Sequence, residues 1–348
     1  MKYLSLLKLI LALQLTDIHS ESNPSPKTEA QQLKEKILVL DLNHYFSDHQ
    51  DEREKFIEQF GNALHTTGFV MIKNHQISQQ NIDAASHSSR AFFDLPEEDK
   101  LQYQGKEVNR GYKGFTTQQS HKKSDLQEYW HVGPTTQLNN HLNIPEIKKN
   151  IWPNEIDSFE KNLSTLYEEI REKGQPILEA CSLYMGKEKT FLSEITEHGD
   201  SVMRFIHYLP SEDPSNEKTW KAAHQDPNLL TIITGVSMEG LEVQTKDGNW
   251  ITVPYHPDTI IVSSSNMLES LSNGLIRSAP HRVVIQQSNK SRFSIPFFYH
   301  VQRNLSIGPQ KESILKTNGD ANYFEQTAEE SLKGHFWFTP SINPESNK

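Results

Sequence analysis

The 348-residue chain has one cysteine, Cys181. A single thiol excludes a disulfide framework and any thiolate-rich zinc or iron–sulfur site. The chain also has no run of the ~18 apolar residues that a membrane span needs. Basic residues are in the minority: 35 Lys and Arg against 45 Asp and Glu leave a formal charge of −10. That balance argues against a nucleic-acid binder, because phosphate contacts need clustered cations. Apolar residues make up only 35%, still enough in a chain of this length for a sizeable core. No internal repeat or low-complexity tract is visible. What the chain has in quantity is histidine, 16 in all.

Residues 1–36 differ from the rest. A leucine-rich stretch from Tyr3 to Leu15, broken by Lys8, precedes a polar run containing Pro24 and Pro26. A secretory signal is one reading. Lys8 and the lack of a small-residue cleavage site favour an extension on a cytoplasmic protein, with export the alternative.

Ile37 to Leu42 and Gly68 to Lys73 read as strands, and Asp51 to Thr67 as a helix with Phe56, Phe60 and Leu64 on one face. Ser78 is a good N-cap for a helix running to about Phe93, with Ile77 and Ile82 at the positions of a hydrophobic staple. A short helix starts at Leu95–Glu98. Residues 103–135 show no clear period and read mostly as loop. From Ile156 to Tyr184 the apolar spacing predicts one long amphipathic helix, kinked by Pro176. Between Ser201 and Val301 the texture turns β-rich: VMRFIHYL, LLTIITGV, GLEVQT, WITV, TIIVSS, HRVVI and RFSIPFFYH, separated by turn signals such as Asp247-Gly248 and Ser272-Asn273-Gly274. So many short strands in about 100 residues suggest a β-sandwich or jelly roll. A final helix covers about Tyr323 to Lys333. The expected organisation is an extension (1–36), a helical α/β region (37–190), a jelly-roll core (191–305) and a C-terminal segment (306–348).

His-x-Asp is half of a plausible metal site. It occurs four times: His49–Asp51, His198–Asp200, His224–Asp226 and His256–Asp258. Context separates them. The first leads into a charged helix, the second is a Gly-containing connector, and the last is a Pro-containing turn. Only His224–Asp226 opens a strongly apolar strand in the β-rich block. His281, which opens HRVVI, is the best third ligand. Two His and one carboxylate with open coordination positions make the facial triad of non-haem Fe(II) oxygenases. Further on, Arg292 and Ser294 alternate with Phe293 and share one face of a strand that the turn Gln287–Lys290 would fold back as a hairpin partner of HRVVI. A guanidinium and a hydroxyl there form a carboxylate clamp. An Arg among the apolar neighbours of RFSIPFF is costly to bury without an anion.

With those motifs in order, HQDPNLLTIIT (224–234), SNGLIRSAPHRVV (272–284) and RFSIPFF (292–298), the sequence resembles the isopenicillin N synthase-like family of Fe(II)/2-oxoglutarate dioxygenases. ILVLDL (37–42), GFVMIKNHQI (68–77), FFDLPEEDK (92–100) and RGY (110–112) resemble that family's leading region. The resemblance spans about residues 37–335. It implies a mainly β protein with α: a double-stranded β-helix (jelly-roll) core, a helical N-terminal region and a C-terminal helix.

It also implies roles. His224, Asp226 and His281 match the iron ligands. Arg292, Ser294 and Tyr208 match the residues that bind 2-oxoglutarate. His207, beside Tyr208, points the other way and reads as structural. The implied reaction uses Fe(II), 2-oxoglutarate and O2, releases succinate and CO2, and oxidises a small-molecule substrate, by default through hydroxylation.

The chain departs from the family pattern at Ile206 (often Asn), at Ser265-Asn266 (often Gly-Asp) and at Glu242 (usually Gln). Substrate contacts are expected from about 103–135 and 300–325, with Phe297 or Phe298. The identity of the substrate and the oligomeric state stay open. The alternatives are an oxidase of the same fold that uses no 2-oxoglutarate and a non-catalytic jelly-roll binding protein. A zinc hydrolase lacks a Glu or His placed as general base.

Overall fold

A computed structural model describes residues 36–104, 110–114, 125–135, 149–211, 219–286 and 289–333. The expected extension and possible signal lie outside these residues but for Lys36, as do parts of the expected substrate loop.

In chain order the elements are β1 (Val39–Asp41), α1 (Gln50–Thr66), β2 (Phe69–Lys73), α2 (Gln79–Phe93), α3 (Glu97–Gln102), β3 (Gly111–Lys113), β4 (Gln127–Val132), α4 (Phe159–Lys173), α5 (Gln175–Met185), α6 (Phe191–Thr196) and β5 (Val202–Tyr208). Then follow β6 (Thr219–His224), β7 (Leu230–Thr234), β8 (Leu241–Gln244), β9 (Trp250–Thr252), β10 (Thr259–Ser264), α7 (Asn266–Leu271), β11 (His281–Val284), β12 (Arg292–Tyr299), α8 (Lys311–Lys316) and α9 (Ala328–Leu332).

The strands form two sheets. The larger has the order β1-β2-β10-β7-β12-β5-β4-β3, the smaller β6-β11-β8-β9. All neighbours are antiparallel except β1 and β2. This is the jelly-roll core, with strands from both halves of the chain in one sheet.

Because side chains alternate across a strand, the large sheet serves two cores. Its outer face (Val70, Ile72, Trp130, Phe205, Ile232, Val262, Phe297) packs on Phe56, Phe60 and Leu64 of α1, on Phe92 of α2 and on the apolar stripes of α4 and α5. Each such fully buried Phe or Leu contributes roughly 1.5–3 kcal/mol. Its inner face (Phe69, Met71, Tyr129, Ile206, Tyr208, Ile261) closes on Trp220, Leu241, Val243 and Val283 of the small sheet. The second core is the barrel interior, and the candidate site opens into it.

Ser78 caps α2, accepting from the Asn81 amide, and Ile77 and Ile82 are both buried. Other expectations need correction. The stretch 103–135 contains β3 and β4. Each residue of β4 is buried, and its Glu128 has partners inside the fold, so polar residues at core positions hid the strand. The long helix from Ile156 is two helices. Gly174 separates α4 from α5, and Pro176 sits in the first turn of α5, where its missing N–H costs nothing. The C-terminal helix is shorter than expected and starts at Ala328, behind a Thr327–Glu330 capping box. Strand β6 and helices α6, α7 and α8 have no counterpart in the expected elements. Finally, β11 and β12 are not hairpin partners: they lie in different sheets, and β12 sits between β5 and β7. Among the described residues no helix is long and apolar enough to cross a membrane.

Candidate metal centre

His224 does not open the apolar strand β7; it closes β6. There it stands opposite His281, the first residue of β11, in antiparallel register. Asp226 lies in the connection to β7. The three side chains converge, with ligand atoms all within 4.8 Å of one another. His224 Nε2 is 3.5 Å and His281 Nε2 3.8 Å from Asp226 Oδ1.

Backbone carbonyls set both tautomers. His224 Nδ1 lies 2.8 Å from the Ala222 carbonyl and His281 Nδ1 3.2 Å from that of Ala279. A carbonyl only accepts, so each Nδ1 carries the proton and each Nε2 lone pair faces the gap, as a metal ligand requires. Burial raises the Asp226 carboxyl, but the neighbouring imidazoles and the Thr231 hydroxyl outweigh it and hold the group below the usual carboxylate range. Burial pulls His281 down to about 4. The donor set is thus two imidazoles, each with Nε2 toward the gap, and a carboxylate, which suits a divalent transition metal.

The local sequence builds this turn. Asn228 Nδ2 donates to the Leu230 carbonyl at 2.8 Å and to Thr231 Oγ1 at 3.2 Å. The Thr231 hydroxyl in turn donates to Asp226 Oδ2 at 3.1 Å. The Asn266 amide donates to the Asp226 carbonyl at 2.9 Å, and Gln225 Nε2 to the Ser278 carbonyl at 2.7 Å. Sequence reasoning did not single out Asn228 or Thr231. Their only signal was to lie within the HQDPNLLT stretch.

Arg292 and Ser294 start β12 and face inward beside Tyr208, the register partner of Arg292 on β5. All three are nearly inaccessible to solvent. The Arg292 guanidinium lies 4.8 Å from the centre of the Tyr208 ring. Its Nε donates to the Met238 carbonyl at 3.2 Å, and Ser294 Oγ donates to Tyr208 Oη at 3.2 Å. Arg292 Nη1 is buried and has no hydrogen-bond partner among the described residues. A buried cation with an unsatisfied N–H is stable only with an anion to receive it, which fits a small carboxylate.

The remaining expected residues fall elsewhere. His207 points away from the interior, between Glu128 Oε1 (2.8 Å) and Ser291 Oγ (2.9 Å), and stacks on Phe293. Asp200 pairs with Arg110 and Arg303, and His49 and His256 lie outside the centre. Of the two candidate phenylalanines, Phe297 packs outward on Tyr167. Phe298 continues the inward face of Arg292 and Ser294. Among the departures, Glu242 forms an ion pair with Arg282 at 2.7 Å, which in turn lies over Trp250. Asn266 Oδ1 accepts from Ser278 Oγ at 2.7 Å, and Ile206 packs in the barrel interior.

Residues 37–155 match the family described as non-haem dioxygenase in morphine synthesis N-terminal, and residues 199–301 match the 2OG-Fe(II) oxygenase superfamily. The chain is 30% identical over 308 residues to flavanone 3-dioxygenase 2 of Oryza sativa subsp. japonica, a match covering 87% of this chain and 84% of that one. A protein of the 2OG-Fe(II) oxygenase family from Caulobacter crescentus superposes with a TM-score of 0.76 at 30% identity, covering 86% of this chain and 97% of its own. A full-length Neurospora crassa protein in complex with alpha-KG shares the fold, with a TM-score of 0.73 at 22% identity over 84% of this chain and 93% of that chain. The chain belongs to the 2OG-Fe(II) oxygenase superfamily. Within it, the protein is an isopenicillin N synthase-like, 2-oxoglutarate-dependent Fe(II) dioxygenase.

Proposed function

We propose that His224, Asp226 and His281 hold Fe(II), that Arg292, Ser294 and Tyr208 receive the distal carboxylate of 2-oxoglutarate, and that the enzyme hydroxylates a small-molecule substrate. The observation that supports this most is the pairing, within one barrel interior, of the His-Asp-His cluster with a buried Arg292 Nη1 that lacks a partner among the described residues. Bound Fe(II) supplies the reaction of O2 with 2-oxoglutarate that yields succinate and CO2 and oxidises a C–H bond.

The chain supplies the rest. The Ala222 and Ala279 carbonyls fix each imidazole through Nδ1 and turn its Nε2 toward the gap. Thr231 fixes one carboxylate oxygen of Asp226 and leaves the other toward the histidines. Arg292 and Tyr208 orient the cosubstrate by its far end. Trp220, Leu241 and Val283 keep that end dry, which strengthens the ion pair. His224 and Asp226 are only partly buried, so the open side of the centre is where substrate would arrive. We also propose a cytoplasmic location, with which a chain of one cysteine is compatible.

The test is anaerobic titration with Fe(II) and 2-oxoglutarate, followed by O2 and succinate assays over a metabolite panel. A weak visible charge-transfer band and 2-oxoglutarate-dependent succinate formation are expected. Folded, iron-treated protein that shows no band, or O2 uptake that needs no 2-oxoglutarate, would refute the assignment.

A further inference from the structure

On β5 the inward positions are Tyr208, Ile206 and Arg204. Tyr208 belongs to the carboxylate clamp, and Arg204 stands two inward positions nearer the open end. Its guanidinium lies over two rings, 4.5 Å from the centre of Tyr129 and 5.0 Å from that of Phe298. Phe298 is the register partner of Thr231, whose hydroxyl holds Asp226. Arg204 is therefore linked to Asp226 through Phe298 and Thr231.

Arg204 forms no ion pair with any described residue. Its one hydrogen bond to them runs from Nε to His131 Nε2 at 2.6 Å. Because the guanidinium must donate, His131 Nε2 accepts, and the imidazole is neutral in this arrangement. Among the described residues the charge of Arg204 thus meets no counter-charge, and the Nη edge of its fork has no partner. Arg204 and Phe298 are both only partly buried, on the open side of the interior.

We propose that Arg204 binds the carboxylate of an anionic prime substrate whose apolar body lies against Tyr129 and Phe298. The planar fork suits a bidentate carboxylate, and the two rings supply apolar contact beside it. The proposal rests on the metal-centre reading above and names the substrate class for that site. Sequence reasoning missed Arg204, because an arginine in a strand has no motif to mark it until the register shows which way it points.

The test uses the full chain loaded anaerobically with Fe(II) and 2-oxoglutarate. The probes are phenylacetate, 3-phenylpropionate and octanoate, each against its carboxamide, with binding read by calorimetry. At least one acid should bind ~tenfold or more tighter than its amide. Arg204→Gln should abolish that preference, and Arg204→Lys should retain part of it. Succinate formation, where a probe turns over, should follow the same order.

Equal affinity of every acid and its amide in the wild type overturns the proposal, as does an acid preference that survives Arg204→Gln. Acid binding that excess 2-oxoglutarate displaces would put Arg204 on the cosubstrate and overturn it too. Failure of the metal-centre reading shows separately, as a missing visible band. The acid and amide comparison is then decided by calorimetry on the metal-free chain.

Discussion

Asp226 keeps its geometry through Thr231, a residue that touches no metal in the proposed site. Thr231→Val removes the hydroxyl at nearly constant volume and leaves Oδ2 without its described side-chain donor. Iron affinity should fall ~10–100-fold, the usual cost of losing a group that orients a ligand, as measured by competition with a chromophoric chelator. At the far end of the barrel, Arg292→Gln leaves the cosubstrate carboxylate without its counter-charge. The KM for 2-oxoglutarate should rise by ~30-fold or more. Arg292→Lys keeps the charge but not the fork and should lie between the two. A KM for 2-oxoglutarate unchanged in Arg292→Gln would mean the clamp lies elsewhere.

Strand β4 shows where the sequence could and could not be read. The motifs of β7, β11 and β12 were legible because metal and carboxylate chemistry restrict which residues can stand there. Helices α1 and α2 were legible from period and capping. Strand β4 was not, because its sequence QEYWHV puts Gln, Glu and His at core positions. Only the fold supplies the partners that make them tolerable: Lys100 Nζ at 2.8 Å, Tyr112 Oη at 2.6 Å and His207 Nδ1 at 2.8 Å from the Glu128 carboxylate. Glu128→Ala should destabilise the protein by about 3–5 kcal/mol in urea unfolding, because Lys100, itself buried, loses its counter-ion. The double variant Lys100→Met/Glu128→Leu should recover most of that loss.

The break between α4 and α5 was likewise hidden, because the apolar spacing runs on through it. Gly174 is small where the Tyr299 hydroxyl and the Ile170 carbonyl approach, and any Cβ there would collide with both. The sequence singled out His224, Asp226 and His281, which the structure brings together, but not the strands that carry them. Chemistry constrains residue types, but only pairing shows that His224 ends one strand and Asp226 lies beyond it.

For the molecule as a whole, two linkages set stability. Ligands that bind only the folded chain raise its Tm by mass action. Mn(II) with 2-oxoglutarate should therefore raise the Tm of the wild type and leave Asp226→Ala unmoved, by differential scanning fluorimetry. The second linkage is with protons. Burial pulls His300 from the usual 6.5 down to about 4. The unfolded chain takes up a proton below about 6.5 that the folded one refuses until about 4, so this contribution is complete above the upper value and fades as pH falls toward the lower. The metal-free protein should lose Tm across that window, which His281 shares. His300→Asn should flatten the slope.

The position of β12 bears on how the chain comes to be folded at all. It is the last described strand to leave the ribosome, yet it sits mid-sheet between β5 and β7. Until residue 299 is made, both neighbours present open edges, and the barrel has a missing stave. Closure must wait for a contact of long sequence separation, which slows folding. A nascent or truncated chain ending near residue 290 would carry two unpaired strand edges and tend to aggregate. The strand that carries the proposed cosubstrate clamp is thus also the one whose arrival turns a sticky intermediate into a closed protein.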